Sequence, residues 1–397
     1  MASAGTAGRP TKPGSGLLRE DFTVTVDDAP ARYRLLGGTG LRVSPLALGT
    51  MTFGDGGWRA GAGPARSIFK HYVEAGGNFI DTADAYGAGA SEELLGTFMK
   101  EAGTRDRLVV ATKFSVARTA GDPNSGGNGR KNMLASLEAS LRRLQTDYVD
   151  LYWMHMWDAV TPAEEVMATF DALVRAGKVR AVGLSNVPAW YAAKAQLTAR
   201  SAGWEPAAAL QLEYSLAERS IEREHLPAAA DLGIGVIAWS PLANGMLAGK
   251  YTRGRDAQPQ GRGRLAAMGN DGTIDRARRA GNPTFAKLFT DKSWHIADVV
   301  AQVAKEAGRS PAQVALSWVA RRPGITSTLT GATSLEQLEE NLRAMEFEIP
   351  PELAVRLEEA SRAEPAYPYY LSGPAAQSMI NAGTVVQAPP QPQPSSG

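Results

Sequence analysis

Eight apolar runs of strand length punctuate the chain, at residues 46–49, 78–81, 108–112, 150–154, 180–184, 208–212, 235–239 and 326–330. Between them the spacing of apolar positions predicts helices over 64–75, 92–101, 131–144, 162–176, 190–199 and 221–232. Three more follow the seventh run, over 293–307, 311–321 and 334–345. Local signals agree: Ser91-Glu92-Glu93 opens one helix, Pro162 stands at the first helical position of another, and Gly177 stops it. Strands that alternate with helices form parallel βαβ units, and eight right-handed crossovers bring the last strand beside the first. The expected fold is therefore α/β, a single closed (β/α)8 barrel of the TIM type. A doubly wound sheet would want Gly-x-Gly-x-x-Gly after the first strand, and none stands there.

The ends of the chain read differently. Residues 1–20 are small, polar and rich in Gly and Pro, a disordered lead-in, and 385–397 form a low-complexity tail. The barrel domain is expected over 21–384. It opens with a β-hairpin in which 22–26 and 32–36 flank Asp27-Asp28-Ala29-Pro30. Tyr367-Pro368-Tyr369-Tyr370 is aromatic enough to pack on something. Two long loops follow strands, at 117–129 and 243–290, and both are expected on the face where barrel active sites lie.

Four polar residues sit just past successive apolar runs: Asp81, Tyr86, Lys113 and His155. A phenol titrates near pH ~10 and is a poor proton donor or acceptor until its surroundings change it. A nearby ammonium draws its pKa down, and a carboxylate holds the ammonium in place. A histidine beside the phenol can orient a carbonyl oxygen or pass a proton. Together these groups make an acid–base site for a carbonyl, which then requires a hydride source. Taken singly, each has a plainer reading: Tyr86 as a packing residue, Asp81 as a turn cap, His155 as a core histidine. Lys113 is the most telling, because a lysine that ends an apolar strand is rarely buried unless paired.

Composition narrows the partners. Lys and Arg total 42 against 41 Asp and Glu, a net charge of +1, which leaves no electrostatic footprint for nucleic acid or an anionic membrane. There is no cysteine, which excludes disulfides, thiolate nucleophiles and cysteine metal sites. Four histidines, of which only His155 is at a strand tip, argue against a metal centre. With no membrane span or export signal read, the cytoplasm is the expected location. The sequence leaves a homo-oligomer open.

The chain closely resembles the aldo-keto reductase superfamily. The resemblance rests on Gly49-Thr50-Met51-Thr52-Phe53-Gly54, Phe79-Ile80-Asp81-Thr82-Ala83-Asp84-Ala85-Tyr86-Gly87 and Ala111-Thr112-Lys113. It continues in Asp150-Leu151-Tyr152-Trp153-Met154-His155, Gly183-Leu184-Ser185-Asn186, Gln211-Leu212-Glu213-Tyr214-Ser215, Trp239-Ser240-Pro241-Leu242 and Gly331-Ala332-Thr333. These strings occur in the family's order over roughly 34–345. Arg130-Lys131-Asn132-Met133, His155-Met156-Trp157-Asp158 and Pro188-Ala189-Trp190 look most like the aryl-alcohol dehydrogenase branch.

The resemblance implies NADPH-dependent reduction of aldehydes and ketones, with Tyr86 as proton donor and Asp81, Lys113 and His155 around it. It implies nicotinamide contacts from Gly49, Thr50, Met51, Asp81, Ser185, Asn186 and Gln211, with Trp239 stacked on the ring, though Trp239 can equally be barrel packing. Ser240, Leu242 and Gly245 resemble a loop that wraps the pyrophosphate through backbone N–H groups. Gly331, Thr333, Gln337, Glu340 and Asn341 correspond to contacts at the adenosine end. Lys250 and Arg264, with Arg262 next, match basic residues that close over the 2′-phosphate; a solvated loop is the plainer alternative. Gln337 stands where many members carry arginine, so NADH is a weaker alternative cofactor. Phe53, Trp58, Tyr86, His155 and Trp157 are expected to line an aromatic pocket for aryl or medium aliphatic carbonyls. The rival readings are a keto-sugar or sugar-nucleotide reductase on the same machinery and a cofactor-sensing regulatory subunit.

Overall fold

The computed structural model describes residues 33–254, 259–261, 263–270, 272–279, 286–384 and 386. A short hairpin, β1 (Arg34–Leu35) against β2 (Arg42–Val43), comes first. The barrel strands are β3 (Leu46–Gly49), β4 (Phe79–Asp81), β5 (Val109–Phe114), β6 (Val149–Met154), β7 (Val179–Ser185), β8 (Ala207–Glu213) and β9 (Gly235–Trp239). After a second hairpin, β10 (Tyr251–Arg253) with β11 (Pro259–Gly261), the last barrel strand is β12 (Ile325–Thr330). All eight barrel pairings are parallel, and β12 closes the ring between β9 and β3.

Around the barrel run α1 (Ala62–Glu74), α2 (Ala90–Ala102), α3 (Arg130–Leu144), α4 (Ala163–Arg175), α5 (Ala189–Ala202) and α6 (His225–Asp231). The loop after β9 carries α7 (Arg264–Asn270) and α8 (Thr273–Arg279). Then come α9 (Asp291–Glu306), α10 (Pro311–Ala320), α11 (Leu335–Leu342), α12 (Pro351–Ser361) and α13 (Pro374–Ile380). No helix among the described residues is long and apolar enough to cross a membrane.

Strand alternation creates two cores. Leu151 and Trp153 point into the barrel, while Tyr152 and Met154 point out against the helices. The interior cluster also holds Phe79, Val109, Ala111, Ala209 and Ile237, and the hairpin's Leu36 and Val43 belong to it. Gly183 makes room for Trp153, whose ring would lie 2.3 Å from a Cβ added there.

Several expectations need adjustment. The hairpin is present, but the described part of it pairs Arg34–Leu35 with a strand on its C-terminal side; residues 22–26 lie outside the described residues, as do the lead-in 1–20 and all of the tail except 386. Pro162 is the N-cap of α4, extended at ψ 142°, one position before the helix rather than its first residue. The helix expected over 221–232 begins only at His225, behind a single 3₁₀ turn at Ser220–Glu222. The helix expected over 334–345 gives way after Leu342 to a 3₁₀ turn at Arg343–Met345. The aromatic string near the C-terminus is largely exposed, with Tyr369 bonded through its hydroxyl to Glu224.

Candidate active site

Parity along the strands selects the site. Phe79 is inward on β4, so Asp81 is inward too; Ala111 is inward on β5, so Lys113 follows it. The same count carries Ser185, Gln211 and Trp239 inward at the ends of β7, β8 and β9, and His155 follows inward Trp153. One rim of the barrel thus gathers the polar tips that the sequence scatters over some 160 positions.

Lys113 is fully buried, and its ammonium is ion-paired with Asp81. It also donates to the carbonyl oxygen of Thr82 at 2.7 Å and lies 3.3 Å from the Tyr86 hydroxyl. Gln211 donates through Nε2 to the other Asp81 oxygen at 2.9 Å, so both carboxylate oxygens are engaged. Burial takes the ammonium away from water, but Asp81 and then the phenol outweigh that loss and hold the Lys113 pKa above its ordinary value.

Tyr86 opens a tight turn in which Gly87, Ala88 and Gly89 all have positive φ. The φ of 61° favours glycine at position 87, and the Arg59 guanidinium lies close by, 2.6 Å from where a Cβ would stand. The expected fall of the Tyr86 pKa is not what the site produces. Burial raises it, and although Lys113 and its hydrogen bond pull downward, Asp81 adds to the rise and the net direction is up. Tyr86 is therefore a protonated phenol at neutral pH.

The His155 ring meets the Tyr86 ring edge-on, with centroids 5.9 Å apart at 81°. Its backbone N–H donates to Phe114 O at 2.9 Å and faces the Ser115 hydroxyl at 3.1 Å. Burial, and then the Lys113 charge, push its pKa down to about 3, so the imidazole is neutral at physiological pH. Its Nδ1 is buried without a partner.

The residues expected to hold a nicotinamide form a connected chain. Asn186, at φ 52°, donates to His155 O and to the Ser185 hydroxyl, both at 2.9 Å, and its amide oxygen accepts from Trp239 Nε1 at 3.0 Å. Gly49 and Thr50 lie where β3 ends, and the Thr50 N–H donates to Asp81 O at 2.9 Å. In the loop after β9, the N–H groups of Ala243, Asn244, Gly245 and Leu247 are used within the loop itself, on Ser240 and Leu242. Those N–H groups are not free to cradle an anion as arranged here. Ser240, Ala243, Asn244 and Gly245 all have positive φ. Lys250 is exposed beside β10.

At the start of α11 the Gln337 side-chain oxygen accepts from the N–H and hydroxyl of Thr333, both at 3.1 Å. Asn341 donates to the Thr330 hydroxyl and to Gly331 O. Glu340 is half-buried on the same helix.

Two expectations on the pocket and the basic loop change. Phe53 is fully enclosed, its ring edge against Phe98 at 6.2 Å, and so belongs to the core between barrel and helices rather than to an open pocket. Arg264 meets none of Gln337, Glu340 or Asn341: it lies over Trp58 at 4.4 Å, with Nη2 3.9 Å from Met51 Sδ, close enough to Tyr86 for its charge to act there. Arg262 lies outside the described residues. Trp157 is half-buried against Trp190 and Tyr191. Arg59 and the Thr82 carbonyl were missed; a Trp-Arg pair in the Gly-rich loop after the first barrel strand was the available signal for Arg59.

Comparison with known proteins shows the family. The aldo/keto reductase family model matches residues 45–362. An uncharacterized oxidoreductase, YrpG, of Bacillus subtilis is 38% identical over 331 residues, 81% of this chain and 93% of that protein. A norsolorinic acid reductase of Aspergillus flavus is 32% identical over 85% of this chain and 82% of its own length. An NADP(+) aryl-alcohol dehydrogenase of Phanerodontia chrysosporium is 32% identical over 86% and 89%. The chain is an oxidoreductase that belongs to the aldo/keto reductase family.

Proposed function

We propose that the protein reduces aryl and medium aliphatic aldehydes and ketones to alcohols with NADPH. The observation that carries this reading is the buried Asp81–Lys113–Tyr86 network at the barrel mouth, where burial keeps the phenol protonated and the Lys113 ammonium stands 3.3 Å from its oxygen. The surrounding groups suit a nicotinamide: Ser185 and Asn186 offer a hydroxyl and an amide, and Trp239 is anchored through its indole N–H with its ring at the rim. A nicotinamide bound there supplies hydride to the carbonyl carbon.

The chain's own residues handle the proton. Neutral His155, edge-on to Tyr86, orients the carbonyl oxygen by hydrogen bonding. Tyr86 delivers its phenolic proton to that oxygen as negative charge develops. The tyrosinate left behind faces the Lys113 ammonium, which Asp81 and Gln211 hold in place without a water shell to reorganise. The names of two relatives, an aryl-alcohol dehydrogenase and a norsolorinic acid reductase, favour aromatic substrates. The aromatic group Trp157, Trp190 and Tyr191 just past His155 favours them too.

A panel of aryl aldehydes, aliphatic aldehydes and open-chain sugars, followed by loss of NADPH absorbance, tests the proposal. Aryl aldehydes should show the highest kcat/KM, because sugar hydroxyls entering an apolar pocket lose water without gaining partners. NADPH should be preferred to NADH. A sugar or keto-sugar nucleotide that outperforms every aryl aldehyde would reject the pocket and promote a sugar reductase.

A further inference from the structure

The Gly- and Asn-rich loop 117–129 leaves β5 just past Lys113, and near its end Asn128 is fully buried. Asn128 bonds to the segment that carries His155. Its Nδ2 donates to Met156 O at 3.0 Å, and its backbone N–H donates to Asp158 Oδ2 at 2.9 Å. Its Oδ1 accepts from the Ser115 hydroxyl at 2.6 Å, and that same hydroxyl oxygen accepts from the His155 N–H at 3.1 Å. One hydroxyl thus joins Asn128 to the backbone of His155.

Ser115 takes φ 124°, a conformation that L side chains rarely adopt. Glycine would take it freely but has no hydroxyl for Asn128 and His155 to share. A strained backbone persists only where its surroundings hold it. Here Gly127 N–H donates to Ser115 O at 2.8 Å, and Asn132 of α3 donates to Gly127 O at 2.8 Å. On the other side of the segment, Asn186 donates through Nδ2 to His155 O at 2.9 Å, and its backbone oxygen accepts from Trp157 N–H at 3.4 Å. The strip from His155 to Asp158 is therefore gripped twice, by Asn186 at the end of β7 and by Asn128 from the loop. Where that backbone goes, the imidazole goes with it.

We propose that Asn128, acting through Ser115, is a positioning residue for His155: it fixes the backbone from which the imidazole reaches its place edge-on to Tyr86. The proposal rests on the reading in which His155 orients the carbonyl oxygen. It gives the loop 117–129 a part in the reaction through backbone geometry.

The titration of the imidazole reports its position without turnover. The titratable groups against the ring are Lys113 from β5 and Tyr86 from the turn after β4. Burial and then the Lys113 charge keep it neutral far below its ordinary 6.5, so a ring released toward water returns toward that value. Proton NMR of the full chain, without added nucleotide, would follow the four histidines from pH 4 to pH 8. The resonance missing in His155→Gln identifies the one of interest, and His71, His225 and His295 report whether each variant is folded. In wild type His155 should not titrate in this range. In Asn128→Ala its midpoint should rise by about one unit or more, and in Ser115→Ala by less. If Asn128→Ala does not fold, Ser115→Ala decides alone. A His155 that stays untitrated in the folded variants would overturn the proposal. With turnover, Asn128→Ala should lower kcat for an aryl aldehyde on the order of tenfold at unchanged NADPH affinity. Placed on His155→Gln, it should cost less than about twofold more; full additivity would equally overturn the proposal. If the titrations come out as expected but no carbonyl is reduced, the positioning stands and the reductase reading fails.

Discussion

Asp81 and Asp84 lie three residues apart, both almost completely buried, and the chain treats them in opposite ways. Asp81 ends β4 facing into the barrel, where Lys113 engages one oxygen and Gln211 the other. Asp84 lies beyond that strand, near Glu92, Arg143, Arg118 and Ser136; burial raises its pKa and the Ser136 hydroxyl draws it down, but no group meets either oxygen at full hydrogen-bond geometry. Glu92 is itself engaged, by the Thr112 hydroxyl on one oxygen and by Arg143 Nε at 2.6 Å on the other. Only Nε of that arginine is spent on Glu92: its Nη2 is buried without a partner, and Arg143 acts on Asp84 through its charge alone. The Asp84 pKa is pushed up to about 7, by burial first and then by the Glu92 charge. Depth alone therefore does not make a working carboxylate: a partner aimed at each oxygen does.

The contrast can be broken from either side. The largest effect is expected from Lys113→Met, which leaves the Asp81 charge buried with only an amide. Losing one member of a buried pair costs roughly 3–5 kcal/mol, and adding Asp81→Asn should recover much of it. Denaturant unfolding of the single and double variants checks this. A single variant as stable as wild type would mean the ion pair does not hold the site together.

A smaller effect of opposite sign is expected at Asp84. Its ordinary pKa of 3.8 becomes about 7 in the fold, so between those values the folded state binds the proton more tightly than the unfolded chain. Stability from this group is present at low pH and falls as pH rises through the folded value. Asp84→Asn should therefore raise stability at about pH 8, on the order of 1–2 kcal/mol, and bring no gain near pH 4. Melting curves at the two pH values decide it. A variant destabilised at high pH would show that Arg143 or Arg118 does satisfy the charge.

Much of this was legible in the sequence. The eight strands emerged because each apolar run is short and bounded, and Asp81, Lys113 and His155 could be located because a strand tip follows directly from its run. The direction of the Tyr86 pKa could not be read, since it is a difference between burial and the Lys113 charge and depends on depth in the finished barrel. Phe53 looks like a pocket residue in its Gly-flanked loop; only the arrival of Phe98 from α2, some 45 positions later, encloses it. Gln211 could be anticipated at the site but not its target, because its tie to Asp81 crosses the barrel from β8 to β4. The helices α7 and α8 are too short for a clear periodicity in a Gly- and Arg-rich stretch. The helix α12 lies beyond the last helix expected from the sequence, although Pro351 at its first turn and Leu353 and Leu357 four apart are signals for it.

The claim at the centre of the account is that the network around Asp81 and Lys113 exists to make Tyr86 a proton donor. Tyr86→Phe removes the phenolic oxygen and leaves Ser185, Asn186, Gln211 and Trp239 untouched. Single-turnover reduction of an aryl aldehyde by saturating NADPH, with NADPH affinity titrated on the same samples, tests it most directly. The expected result is a rate lower by a factor on the order of 10²–10⁴ with NADPH binding within a few-fold of wild type. A rate within a few-fold of wild type would contradict it, and the proton would have to come from another group.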